Sequence, residues 1–241
     1  MIAITKTITP DYEPDFEKGE IILLDKPFRK SSFDLVYKVR KAVEVQKVGH
    51  AGTLDPQATG LVLVCTGRMT KEISNFQLLE KTYTGIISLG KTTPSLDAET
   101  EFDSENSFEQ VTEKEIFETR DLFLGKITQI PPMYSALKSN GKALYRYARK
   151  GVEVERNPRE VFVSRFEIKN INLPDIEFEI SCSKGTYIRV IANDFGKKLE
   201  CGAYLKKLRR TQIGSFCVDD AFTIDEFREF VNNCSPVVHS V

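Results

Sequence analysis

Apolar positions along the chain recur at two spacings, and the alternation between them predicts an α+β fold. Residues 21–24 (IILL) read as a short strand that stops at Asp25-Lys26-Pro27. Leu35, Val36, Val39 and Val43 then repeat at helical spacing behind Ser31 or Ser32, either of which suits an N-cap. LVLVC at 61–65 reads as a buried strand, and Ile73, Phe76 and Leu79 as one face of a helix. Residues 81–90 (KTYTGIISLG) form a strand with Tyr83, Ile87 and Leu89 on one side. Thr112 and Glu115 make a capping-box pattern opening a helix that stops at Gly125, and a short helix, KALYRYARK, ends at Gly151. Period-two alternation covers about 160–169 and 175–182. Ile188, Ile191, Phe195 and Leu199 mark another helix, and Thr223 with Glu226 opens the last.

Long, irregular connections between these strands predict a mixed, mostly antiparallel sheet flanked by helices, not a doubly wound one. Residues 1–18, acidic and threonine-rich, read as an N-terminal tail, and 19–241 as a single domain. Within it, 126–158 interrupts the pattern with prolines, aromatics and basic residues and reads as an inserted binding element.

The chain has 241 residues, 41% of them hydrophobic and 29% charged, so it is long enough to bury a real core. Its net charge of -1 points to no polyanionic partner, but the charge is segregated. Acidic residues crowd the N-terminal tail and the stretch from Asp97 to Asp121; basic residues crowd Lys138 to Arg159 and Lys197 to Arg210. That pattern fits either a basic face for phosphates or solvated helix faces. Five cysteines without a Cys-x-x-Cys pair speak against a disulfide scaffold and a zinc module. His50 and His239 are the only imidazoles. The N-terminus carries no secretory pattern, and no apolar run is long enough to cross a bilayer; the expectation is a reduced, cytoplasmic protein with no membrane partner.

Candidate chemistry concentrates in GHAGTLDPQATG at 49–60. Gly49, Gly52 and Gly60 permit tight backbone paths, Pro56 fixes its own φ, and Asp55 is pushed toward an extended conformation. The outcome is a carboxylate on a short stiff loop. On these residues alone it is either a catalytic group held in place or an ordinary Asp-Pro turn bonded to its own backbone.

The loop does not stand alone. GEIILLDKP at 19–27, VGHAGTLDPQATGLVLVCTGRMTK at 48–71, KTYTGIISLG at 81–90, PPMYSALKSNGKALYRYARKG at 131–151, CSKGTYIRVIANDFG at 182–196 and LRRTQIGSF at 208–216 follow in order. In sequence and spacing this series resembles the TruB family of pseudouridine synthases, which modify the T-loop uridine at nucleotide position 55 of tRNA. The resemblance implies the pseudouridine synthase fold and an isomerase that needs no cofactor and no metal. It puts the catalytic aspartate on Asp55, the active-site tyrosine on Tyr83 and the active-site arginine on Arg189, which would hold Asp55 ionised and oriented. It matches His50 to a histidine that contacts the RNA near the site. Leu205 is assigned to the uracil pocket, with core packing as its alternative. Lys26 is an RNA contact or a structural surface lysine.

The insert resembles the family's RNA-gripping thumb, with Lys138, Lys142, Arg146 and Arg149 among Tyr134, Tyr145 and Tyr147. Implied partners are the T-arm of tRNA and no guide RNA, with the protein a monomer. Two departures stand out. Ala51 replaces the threonine of many relatives, and only about 25 residues follow Phe216, too few for the PUA domain many relatives carry. Two other readings stay open: a non-catalytic RNA-binding protein on the same scaffold, and the same isomerisation on another RNA.

Overall fold

The computed structural model describes residues 3–9 and 11–234. In chain order its elements are β1 (Ile21–Lys26), α1 (Ser32–Val43), β2 (Val48–His50), β3 (Thr59–Thr66), α2 (Ile73–Leu78), β4 (Lys81–Leu89), β5 (Lys91–Thr92), β6 (Ser104–Glu105), α3 (Glu113–Asp121) and β7 (Gly125–Gln129). There follow β8 (Lys138–Ser139), β9 (Lys142–Ala143), α4 (Leu144–Ala148), β10 (Arg159–Asn172), β11 (Asp175–Cys182), α5 (Ile188–Lys198), β12 (Ala203–Ile213), β13 (Phe216–Cys217) and α6 (Ile224–Cys234). They form two compact units. The first holds the described residues up to Lys81 and from Arg209 onward; the second is Thr82–Leu208. Strand β12 runs through the division, so each unit owns part of it.

In the first unit β3 is central. It pairs antiparallel with β1, Ile21 opposite Cys65 through Lys26 opposite Gly60, and parallel with β12, where Arg209 faces Thr59 and Arg210 faces Gly60. β2 adds to β3 and β13 to β12, both antiparallel. The core beneath is apolar: Ile21, Leu23, Ala51, Leu61, Leu63, Cys65, Phe76, Ile213, Val218 and Ala221 are all buried. Helix α1 starts at Ser31, whose hydroxyl accepts from the Asp34 amide while the Asp34 carboxylate accepts from the Ser31 amide. Ser31, not Ser32, is therefore the cap. The residues read as an N-terminal tail pack here: Ile4 is fully buried and its amide donates to the Ile21 carbonyl at 2.7 Å. Met1, Ile2, Pro10 and the last seven residues, His239 among them, lie outside the described residues.

In the second unit β4 lies between the start of β12 and β11, with β10 and β7 beyond. β10 pairs antiparallel with β11 and with β7, where Arg159 faces Gln129. Tyr83, Ile87 and Leu89 lie on a buried side of β4, as their spacing implied. Gly85 is needed there, because a Cβ would sit 2.5 Å from the Lys207 carbonyl oxygen and 2.7 Å from the Phe178 ring.

Three expectations change. Helix α3 ends at Asp121, not at Gly125, whose φ of +76° instead opens β7. Because 126–129 belong to β7, the inserted segment is 130–158. Strand β12 was not anticipated. Lys206, Lys207, Arg209 and Arg210 disrupt the apolar alternation that marks a strand, although Arg210 is 1% exposed. Among the described residues no helix is long and apolar enough to cross a membrane.

Candidate active site

Asp55 sits on a loop fixed at both shoulders. Ala51, Leu54 and Ala58 are buried pegs on either side of the half-buried carboxylate. The Ala51 amide donates to the Leu63 carbonyl at 2.9 Å, and the Ala58 amide to the Asp55 carbonyl at 3.0 Å, closing a turn with Pro56 in its second position. The Asp-Pro turn is thus formed by main chain. Ser32 Oγ accepts from the Leu54 amide at 2.9 Å and lies 3.3 Å from the Leu54 carbonyl, to which it donates.

Lys26 reinforces the loop from below. It is fully buried, neither at the surface nor free for a phosphate, and its Nζ donates to the carbonyls of Lys30 (2.7 Å), Pro27 (3.1 Å) and Pro56 (3.5 Å). Burial lowers its pKa from 10.5 to about 8, opposed by the nearby Asp55 charge. Arg210, equally buried, donates from Nε to the Leu61 carbonyl at 2.7 Å and from Nη2 to the Gly52 carbonyl at 3.4 Å, bridging the two ends of the loop. Gly60 makes this approach possible: its φ is +107°, and a Cβ would lie 2.2 Å from the Arg210 carbonyl oxygen. Arg209 turns the other way, forming a two-pronged pair with Asp25 at 2.7 and 3.0 Å. These two arginines, read as part of a basic face, are engaged internally. His50 is half-buried with a hydrogen bond to the Gly52 backbone, and burial pushes its pKa down, which favours the neutral imidazole.

A second cluster lies in the other unit. Arg189, on the first turn of α5, is 3% exposed, and its Nη1 lies 3.5 Å from the buried Asp97 carboxylate. Asp97 is set by its own loop. Thr93 Oγ1 and Ser95 Oγ donate to its carbonyl at 2.7 and 3.1 Å, and its Oδ1 accepts from the Glu99 amide at 3.0 Å. Leu205 joins this cluster, since its residue bridges Asp97 and its amide donates to Leu96 at 3.0 Å. It is 5% exposed, so packing accounts for much of its surface. Tyr83 is 9% exposed on β4.

Behind Arg189, the buried Gln129 side chain grips the residue that caps α5. Its Oε1 accepts from the Tyr187 amide at 3.0 Å and its Nε2 donates to the Tyr187 carbonyl at 3.2 Å. Sequence reasoning missed Asp97, Gln129 and the loop-bracing role of Arg210. For Arg210 the doubled arginine of LRRTQIG was the one available hint; for the others no local pattern pointed inward.

The segment 130–158 carries the β8–β9 hairpin and α4. Lys138, Lys142, Arg146 and Arg149 are exposed on it. Arg149 is partly engaged, pairing with Glu99 at 3.0 Å and lying over the Tyr145 ring. Among the described residues no group of three or more His, Cys, Asp or Glu side chains is placed to hold a metal ion.

Residues 40–188 match the family described as "TruB family pseudouridylate synthase (N terminal domain)", and 189–235 match "tRNA pseudouridylate synthase B C-terminal domain". Among similar proteins, tRNA pseudouridine synthase B of Flavobacterium johnsoniae is 46% identical over 229 residues, 92% of this chain and 99% of that protein. Its counterpart from Chloroherpeton thalassium is 47% identical over 216 residues, 88% and 90% of the two chains. Among solved structures, a chain of a Cbf5–Nop10–Gar1 complex superposes with a TM-score of 0.69 at 26% identity, over 96% of this chain and 65% of that one. Fold and sequence together define a pseudouridine synthase, an isomerase. The chain belongs to the TruB family.

Proposed function

We propose that the protein converts the T-loop uridine at nucleotide position 55 of tRNA to pseudouridine, with Asp55 as the catalytic carboxylate. The observation that carries this reading is the bracing of the Asp55 loop: buried pegs, Ser32, Lys26 and Arg210 immobilise a half-buried carboxylate far beyond what a surface turn requires. Family membership supplies the reaction, and the names of the relatives supply tRNA.

The chemistry is balanced without a cofactor. The N1–C1′ bond breaks, the uracil turns, C5 bonds to C1′, the C5 proton leaves and N1 gains one. Neither redox state nor an activated donor is involved. An ionised carboxylate serves as nucleophile, at C1′ or at C6, and is regenerated on either route. Arg189, held by Asp97, is the arginine of this chemistry. Tyr83 offers a ring face to the base and a hydroxyl for the C5 proton, Leu205 lines the uracil pocket, and His50 fills the space left by the extruded base. Lys138, Lys142, Arg146 and Arg149 hold phosphates. On this reading the protein works as a monomer in the cytoplasm, without a guide RNA.

The test is incubation with an unmodified tRNA transcript, followed by chemical mapping of pseudouridine at nucleotide resolution. Modification at position 55 is expected. Modification confined to other positions, or to an rRNA transcript offered in parallel, overturns the assignment.

A further inference from the structure

Helix α1 has a buried stripe, Ser32, Leu35, Val36 and Val39, and an opposite face of unusual composition. Phe33 (62% exposed) and Tyr37 (60%) stand one turn apart on it, and Phe28 (51%) precedes the helix. Cations interleave with these rings. Arg29 lies over the Phe28 ring at 5.4 Å, Lys30 and Lys41 are exposed, and Lys38 is half-buried. Asp34, the acidic residue on this face, is already spent as the partner of Ser31 in the capping box. Scattered exposed apolar residues need no explanation, but three aromatic rings set among four cations form a patch.

This face is laced to the Asp55 loop. The Arg29 amide donates to the Pro56 carbonyl at 2.8 Å, the Lys30 carbonyl accepts from the same Lys26 ammonium that reaches Pro56, and Ser32 bonds Leu54. Arg29 adopts φ +62°, a conformation a non-glycine residue holds only when its surroundings impose it.

We infer that the Phe28–Lys41 face of α1 is a second contact surface for the substrate RNA, stacking its exposed bases on Phe33 and Tyr37 and holding their phosphates with Arg29, Lys30, Lys38 and Lys41. Side chains on successive helical turns, their Cβ atoms about 5–6 Å apart, give bases flat platforms, and interleaved cations follow a phosphate backbone. Continuity with the Asp55 loop, and the positive charge, favour RNA over a protein partner. The inference rests on the proposed RNA substrate and adds a grip distinct from the 130–158 segment.

Filter binding of an unmodified tRNA transcript tests it. The double variant Phe33→Ser/Tyr37→Ser is expected to raise Kd tenfold or more, since each stacked base is worth about 1–3 kcal/mol. Its single-turnover rate at saturating protein should stay unchanged. Phe33→Tyr/Tyr37→Phe, which keeps both rings, should bind like the unaltered protein, and so separates stacking from any fold defect. Lys30→Gln and Lys38→Gln should each lower the slope of log Kd against log salt by about 0.7–0.9. An unchanged Kd in the serine variant overturns the inference. So does a concentration-dependent dimer that disappears in it, since that makes the face a self-association surface. Binding needs no turnover, so an unaltered protein that grips tRNA here yet forms no pseudouridine overturns the functional reading and leaves this surface standing.

Discussion

The Arg189 guanidinium lies 3.5 Å from the Asp97 carboxylate, and both side chains are almost wholly shielded from water. A buried cation costs several kcal/mol of desolvation unless charge and hydrogen bonds offset it. Asp97 supplies part of that offset from a loop whose own hydroxyls and amides hold it rigid. The Arg189 guanidinium therefore depends on a residue 92 positions away in sequence.

Asp97→Asn should lower stability by about 3 kcal/mol, because it removes one charge from a buried pair and leaves the other. Urea unfolding measures this. In the same variant kcat should fall more than KM rises, as expected for a group acting through Arg189 on the transition state and not on RNA affinity. An unchanged kcat would remove Asp97 from the site.

Lys26 predicts a pH dependence of stability. Its folded pKa, about 8, lies below the ordinary lysine value of 10.5 because burial disfavours the ammonium. Between those two values the unfolded chain binds the extra proton, so the Lys26 contribution makes stability rise with pH across this window. The gain is roughly 3 kcal/mol from end to end. Lys26→Met should lack it: the difference in unfolding free energy between Lys26→Met and the unaltered protein, followed by urea titration at pH 7.5 and pH 10.5, should grow in favour of the unaltered protein.

Gln129→Leu strips the Tyr187 amide of its partner at the start of α5, at a cost of about 2 kcal/mol. Gln129→Glu keeps the acceptor but, ionised at neutral pH, has no donor for the Tyr187 carbonyl and buries a charge, so it should recover the loss only as the pH falls and the carboxyl is protonated. Thermal unfolding of the pair tells a lost hydrogen bond from a general packing defect, because both variants keep a side chain of similar size.

Asp55→Asn should abolish tritium release from C5-labelled uridine in tRNA while changing tRNA Kd by less than about threefold, since the substitution keeps shape and removes only the charge. Full activity in that variant would remove Asp55 from the chemistry. Full activity on rRNA alone, in the unaltered protein, would leave the chemistry and change the substrate.

Much of the molecule is legible locally. Capping patterns placed the starts of α1, α3 and α6, and period-two alternation found β10 and β11, because hydrogen bonding at a helix start and burial on one sheet face act over a few residues. The stiffness of the Asp55 loop was also readable, from its glycines and Pro56. What the sequence could not display were interactions whose partners are distant. A run of cations hid β12, since Arg210 is satisfied by the Gly52 and Leu61 carbonyls about 150 residues away. Lys26 read as an RNA contact or a surface lysine until three carbonyls closed around it. Asp97 lay in an acidic stretch with nothing to mark it as the partner of Arg189. By itself the sequence determined the kind of chain this is, the order of most of its elements and the stiff loop that presents Asp55. Only the tertiary structure decided which charges are buried and what holds them. Desolvation and hydrogen bonding depend on what surrounds a group in space, and the chain brings those surroundings from far along its length.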